Sequence, residues 1–220
     1  MGLTAPALKL LQIACLSSDP ENNKGCSKAA QILWAGKGVA RDAQSAAALA
    51  KRACDAGQPA GCLVLGYAHA KGDGAPKDRK FAARLLAQAC GGGDDGACLA
   101  LAEVAIEGTG DEITTGELET LVPACRRGLL TVCIPGADAA SRLNAPEVAM
   151  AMYQRGCEAD LPGSVRACDL GGRLFIEKGG DAAETGALLS RKACAARVSD
   201  ACVRAAVAES FLPSANVARI

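Results

Sequence analysis

Twelve cysteines and a single histidine, His69, are the residues of this chain best equipped to attack, to ligate a metal or to exchange electrons. Their spacing decides among those chemistries. The cysteines fall into six close pairs, Cys15/Cys26, Cys54/Cys62, Cys90/Cys98, Cys125/Cys133, Cys157/Cys168 and Cys194/Cys202. Structural zinc asks for cysteines about two to four residues apart, and a thiol redox centre asks for C-x-x-C; these spacers of seven or ten residues suit neither. One histidine also rules out H-E-x-x-H, so no metal or other cofactor is expected. Residues eight apart cannot meet on one helical turn. They can meet if the first closes one helix and the second opens the next, with Cα atoms within roughly 4.4–6.8 Å. The pairs are therefore read as six disulfides, and the compartment as oxidising, periplasmic or secreted. The alternative is a reduced cytosolic protein whose cysteines are small core residues.

Nucleophilic catalysis finds little support. Neither S-x-x-K, S-D-N nor K-T-G occurs, there is no G-x-S-x-G elbow, and any serine–histidine pair would have to use His69. His69 occupies a packing position on an apolar face, so a structural role is expected of it. Gly91-Gly92-Gly93 before Asp94-Asp95 lacks the preceding strand and the lysine of a phosphate loop, and reads as the turn between Cys90 and Cys98.

The elements that would carry the cysteines repeat. The first members of successive pairs are 39, 36, 35, 32 and 37 residues apart, the period of a helical array. Each interval reads as a helix, a turn and a second helix. In the first two, Gly36-Lys37-Gly38 and Gly72-Asp73-Gly74 end one helix, and Asp42 and Asp78 are placed to cap the next. Later turns decay, but Asn144-Ala145-Pro146 keeps the bend and Pro135 sits in a first helical turn. The expected organisation is one solenoid over 1–220, with hairpins at 26–54, 62–90, 98–125, 133–157 and 168–194 between half-units at 4–15 and 202–212. The fourth residue after each opening cysteine is Ala30, Gly66, Ala102, Ala137, Gly172 and Ala206. The residue before each closing cysteine is Ala14, Ala53, Ala89, Ala124, Gly156 and Ala193. Restricting all these positions to Ala or Gly implies helices in close approach, and Leu10, Leu49, Leu85 and Leu189 would fill the space between layers.

Composition fits this picture. Only six residues are aromatic, so alanine and leucine must form a thin core that covalent links reinforce. Closing a loop of about nine residues removes on the order of 2.6 kcal/mol of unfolded-state entropy. Even at half that value, six links are large beside a typical folding stability of about 5–15 kcal/mol. Lys plus Arg equals Asp plus Glu, 24 of each, so no net field recruits nucleic acid or an anionic membrane. No apolar run approaches the roughly 18 residues of a membrane span. Met1-Gly2 leads straight into an amphipathic stretch without a secretory leader, which is read as a mature or excised form.

The run Gly61-Cys62-Leu63-Val64-Leu65-Gly66-Tyr67, then Lys71-Gly72-Asp73-Gly74, Asp78 and Ala89-Cys90, resembles a Sel1-like repeat of the disulfide-linked type found in the Helicobacter cysteine-rich proteins. The unit from Cys26 to Cys54 matches through Gly36-Lys37-Gly38-Val39 and Asp42, and the cysteine frame extends the likeness over almost the whole chain. The resemblance implies an all-α, right-handed solenoid of antiparallel helix pairs, similar to tetratricopeptide arrays. It also implies an interaction scaffold that binds a protein or peptide, as adaptor, inhibitor or immunity protein. The alternative it carries is an enzyme acting weakly on β-lactams or peptidoglycan. The late aromatic position of the first helix departs from the family, being His69, Ala105, Ala140 and Glu209 with Phe175 the one aromatic, so an aromatic groove is not expected.

Counting two, five and nine residues from each opening cysteine collects one helical face, Lys28, Gln31, Tyr67, Lys71, Glu103, Glu107, Asp138, Arg142, Arg173, Glu177 and Arg204. If the first helices line the inner surface, this is a mixed-charge ladder facing a partner; otherwise it is a solvated face. Trp34, beside the first turn, is either an interface anchor or a cover for the first layer. A monomer is expected.

Overall fold

The computed structural model describes residues 4–16, 23–108, 113–159 and 163–211. They form helices α1 (Thr4–Leu16), α2 (Asn23–Ala35), α3 (Ala43–Asp55), α4 (Pro59–Lys71), α5 (Arg79–Gly91), α6 (Asp95–Glu107), α7 (Thr115–Glu119), α8 (Leu121–Arg126), α9 (Cys133–Arg142), α10 (Pro146–Glu158), α11 (Ser164–Lys178), α12 (Ala182–Ala195) and α13 (Ser199–Phe211). No strand occurs among the described residues, so the fold is all-α. Two compact units divide the chain, Met1–Ala124 and Cys125–Ile220. In the first, α2 packs on α3 and α4 on α5, while α3 on α4 and α5 on α6 join one hairpin to the next. The second repeats the arrangement with α9 on α10, α11 on α12, and the junctions α10 on α11 and α12 on α13.

All six cysteine pairs are bonded as their spacing indicates, with Cα separations between 4.5 and 5.2 Å. The closing cysteine is the penultimate residue of its helix in every case, Cys15 in α1 through Cys194 in α12. The opening cysteine sits deeper than a helix start: Cys26, Cys62, Cys98 and Cys202 are each fourth in their helix and Cys168 fifth, while Cys133 begins α9 directly after a 3₁₀ turn, Leu130–Val132. One turn of helix thus overlaps before the sulfurs meet.

The backbone between the cysteines is equally regular. After α3, Gly57 N–H donates to Cys54 O and Gln58 N–H to Ala53 O, both at 2.9 Å, with Gly57 left-handed at φ 75°. This is the Schellman arrangement, which closes orphan carbonyls at a helix end. Gly93 and Asp94 repeat it on Cys90 and Ala89 after α5. Asp94 then caps α6 through Ala97 N–H at 3.0 Å, so the glycine run is the expected turn. After α12 the same two bonds form, yet the left-handed residue is Arg197, at φ 70°.

Within the hairpins, Asp42 accepts from Ser45 N–H at 3.0 Å and Asp78 from Phe81 N–H at 2.8 Å, the caps that the sequence indicates. The third hairpin departs from one continuous second helix. It breaks into α7 and α8 at Thr120, because Pro123 has no N–H for the carbonyl four residues back and the Thr120 hydroxyl donates to Glu117 O at 2.6 Å.

Ten of the twelve Ala/Gly positions are buried; Ala14 is half-buried and Ala206 exposed. A Cβ on Gly61 would stand 2.5 Å from that of Ala53, one on Gly66 2.7 Å from Leu86 Cγ, and one on Gly172 would overlap Ser190. Leu85 and Leu189 fill the core as expected, and Leu49 packs against the Cys15–Cys26 link. Leu10 corrects the pattern at 68% exposure, since α1 packs chiefly on α2 and no other described helix covers its far side.

The left-handed arginine gives a test. An L-residue there costs about 1–2 kcal/mol, part of which glycine gives back as unfolded-chain entropy. Arg197→Gly should stabilise the second unit by about 0.5–1 kcal/mol in thermal unfolding of the oxidised protein, and Gly57→Ala should destabilise the first by a similar amount.

Candidate functional site

The predicted stripe is gathered into separate surfaces on the two units. In the first, Tyr67 of α4 is the centre. Its ring stacks on Trp34 of α2 with centroids 6.4 Å apart and planes 17° from parallel. Arg41 covers the outer face of Trp34 at 4.8 Å, and Lys71 Nζ stands 5.5 Å over Tyr67, so the two rings lie in a ladder with two cations. Arg41 is fixed by its own bonds, Nε to Trp34 O at 3.1 Å and a terminal nitrogen to Asp73 at 2.5 Å. Trp34 is thus both half-buried cover for the first layer and part of an aromatic surface.

Tyr67, Lys71, Glu103 and Glu107 meet in one shallow hollow of about 100 Å³ between α4, α5 and α6. Arg79 closes it from α5, donating to Glu107 at 3.2 Å and to Val104 O at 3.0 Å. Burial, followed by the negative charges of Glu103 and Asp94, raises the Tyr67 pKa above its ordinary value. Lys28 is exposed and Gln31 half-buried on α2, and neither lines this hollow.

The second unit holds a larger depression, about 450 Å³, between α9 and α11 with its floor on α10. Asp138 and Arg142 line it from α9, and Arg173 from α11, three stripe residues brought together. Four further residues line it: Leu170, the second residue after Cys168, and three outside the cysteine count, Arg166 and Leu174 on the same face of α11 and Tyr153 from α10. The signal for the α11 group was available in its helical spacing, 166, 170, 173 and 174. Glu177 belongs to a neighbouring hollow of about 250 Å³ with Leu174, Glu147 and Lys178. Arg204, on α13, is paired with Asp169 of α11.

A hydrogen-bonded chain runs under the α9–α11 groove. Tyr153, only 2% exposed, donates its hydroxyl to Asp138 Oδ1 at 2.6 Å, and Arg166 donates to Asp138 Oδ2 at 2.7 Å. Ser141 Oγ donates to Ala137 O at 2.9 Å. Burial first, then the bond to Asp138, pushes the Tyr153 pKa up from 10 to about 12. On the opposite part of α10, a hollow of about 380 Å³ contains Arg155 and Lys178, but these are paired with Glu158 at 2.9 Å and Glu147 at 2.7 Å.

His69 lies in the first unit, in a packing role. Its Nδ1–H donates to Pro76 O at 2.8 Å and its ring meets Phe81 edge-on at 4.9 Å. Among the described residues no three His, Cys, Asp or Glu side chains cluster as metal ligands.

Comparison with solved structures adds the wider context. A protective antigen present in uropathogenic Escherichia coli strains, c5321, described as displaying an SLR fold, superposes at a TM-score of 0.51 with 20% identity over 86% of this chain. The fold is that of Sel1-like repeats. This chain spans only 41% of that antigen's length. A Sel1 repeat protein from Oxalobacter formigenes aligns over 84% of this chain and 78% of its own, at 18% identity and a TM-score of 0.46. The sequence matches no family model and no curated protein. The Sel1-like fold, with disulfides joining consecutive helices, accounts for how residues 31 to 36 positions apart reach common hollows.

The buried tyrosine generates a pH prediction. Because its folded pKa lies above the unfolded value, the stabilisation from Tyr153 is fully present below about pH 10 and is lost as pH rises towards 12. Unfolding of the isolated oxidised protein should show the second unit weakening across that window. Tyr153→Phe should remove that part of the slope, while costing about 1–2 kcal/mol at neutral pH for the lost bond to a carboxylate.

Proposed function

We propose that the protein is a non-catalytic scaffold, an adaptor or an inhibitor of the immunity type, that binds another protein or a peptide in an oxidising compartment, periplasmic or extracellular. One observation carries this reading. Side chains from the first helices of successive hairpins meet in hollows rimmed with charge, as on a docking surface. The groove hydroxyls are engaged in donating to Asp138 and Ala137 O, and the sole histidine is engaged in packing in the other unit. Six disulfides support the oxidising compartment. No described helix is long and apolar enough to cross a membrane. The balanced charge argues against nucleic acid as partner, and the chain is proposed to act as a monomer.

The experiment pairs a binding assay with a turnover assay. The immobilised oxidised protein should retain a defined protein or peptide from its source organism, and release it when the disulfides are reduced. Nitrocefin and peptidoglycan should be turned over no faster than a trace. Hydrolysis at an ordinary enzymatic rate, abolished by Ser141→Ala or His69→Ala, would replace the scaffold with an enzyme.

A further inference from the structure

Five of the six disulfides are closed off from solvent, their ten cysteines exposed by 7% or less. Cys15–Cys26, which holds α1 at the far end of the first unit, is as enclosed as the links between interior helices. Cys194–Cys202, which joins α12 to α13, is different, because both of its residues are partly exposed. A thiol must reach a disulfide sulfur to attack it, and exposed disulfides are the ones that exchange.

The junction held by this bond is otherwise weakly made. α13 buries only Ala201, Ala205 and Ala208, whereas α4, α5 and α6 each bury seven residues. Among the described residues, the buried side-chain polar atoms without a hydrogen bond are Ser190 Oγ and Arg191 Nε on α12 and Arg204 Nε and Glu209 Oε1 on α13. Arg191 Nε and Glu209 Oε1 stand 2.8 Å apart as an ion pair, but without hydrogen-bond alignment. Such atoms lose hydration and gain no hydrogen bond for it, which weakens the contact. A helix of 13 residues is also marginal by itself. Covalent attachment therefore carries much of the hold on α13, through a bond that solvent reaches.

We propose that Cys194–Cys202 is a thiol–disulfide exchange site, opened by a dithiol reductant so that α13 is released while the other five links stay closed. A thiolate of the dithiol attacks Cys194 Sγ and forms a mixed disulfide, as the Cys194–Cys202 bond breaks and its electron pair leaves on Cys202 Sγ. The second thiol of the reductant then attacks its own sulfur in the mixed disulfide, expels Cys194 and closes the reductant's disulfide. Both cysteines end as thiols, having gained two electrons and two protons from the dithiol. Cys202 is the better leaving group because it stands near the N-terminal end of α13, where a helix favours negative charge; Cys194 is penultimate in α12, at the end that opposes it. The opening is local, since the helices before α12 keep their own links. It does not depend on what the chain binds.

The test adds dithiothreitol in graded amounts to the full oxidised chain without denaturant, quenches by alkylation and maps the peptides by mass spectrometry. Cys194 and Cys202 should be alkylated at least roughly tenfold faster than any other cysteine, leaving a species with the other five links intact. Hydrogen exchange of that species should show protection lost over 199–211 and kept in α10 and α11. A thioredoxin-type reductant with serine in place of its second active cysteine should be captured as a mixed disulfide on Cys194. The mapping needs no altered protein, so a misfolded variant cannot decide the matter. Another pair opening as fast, all six opening in one step, or unchanged protection of 199–211 once the bond is cut would overturn the proposal. Failure of Cys194 to capture the trap would overturn it as well.

Discussion

Close backbone approach between consecutive helices is the constraint on which the rest of this structure depends. An aromatic-poor chain cannot hold helices apart with large side chains and still exclude water, so it brings them together until a Cβ on Gly61 or Gly66 would collide with its neighbour. Such contact offers little buried area per residue, and the area term is what normally offsets chain entropy. The disulfide meets the shortfall where consecutive helices cross, one turn inside the following helix for every link but that of Cys133. Small residues and cysteines are therefore one device: without Ala53 and Gly61 at the crossing, Cys54 and Cys62 would not reach bonding distance.

The site inherits its geometry from this device. Fixing each helix against the next repeats the position of the first helices, so residues about a repeat apart, such as Asp138 and Arg166 or Arg79 and Glu107, come within ion-pair distance. The pairs are largely exposed on at least one side and contribute little stability. Their effect is on shape, since Asp138 fixes Arg166 at the groove wall. Arginines and leucines thus share one wall of α11, on a frame that ordinary packing of alanine could not hold alone.

How much of this was legible in sequence follows the range of each interaction. The cysteine pairing, the caps at Asp42 and Asp78 and the left-handed glycines are set within a dozen residues, and spacing was enough to read them. The ladder residues of α4 and α6 and of α9 and α11 do meet, because the repeat preserves the helical face. Arg166 escaped because it precedes Cys168 and so lies outside a count made forward from the cysteine. Tyr153 escaped because it belongs to a second helix, and only tertiary packing brings its hydroxyl under Asp138. Leu10 was misread for the opposite reason: the pattern places it in a layer, but burial needs a neighbour that periodicity does not supply. Pro123 was visible and its break at Thr120 followed from a missing N–H, yet the repeat frame alone gives one continuous helix there.

The account stands on covalent links that join consecutive helices in the protein as it occurs in its own compartment. Peptide mapping by mass spectrometry without reduction, on protein recovered from that compartment with thiols blocked at lysis, tests this directly. It should find six linked pairs, Cys15–Cys26 through Cys194–Cys202, and no alkylated cysteine. A majority of chains with free thiols, or links between cysteines of different pairs, would contradict both the source of the stability and the compartment inferred from it.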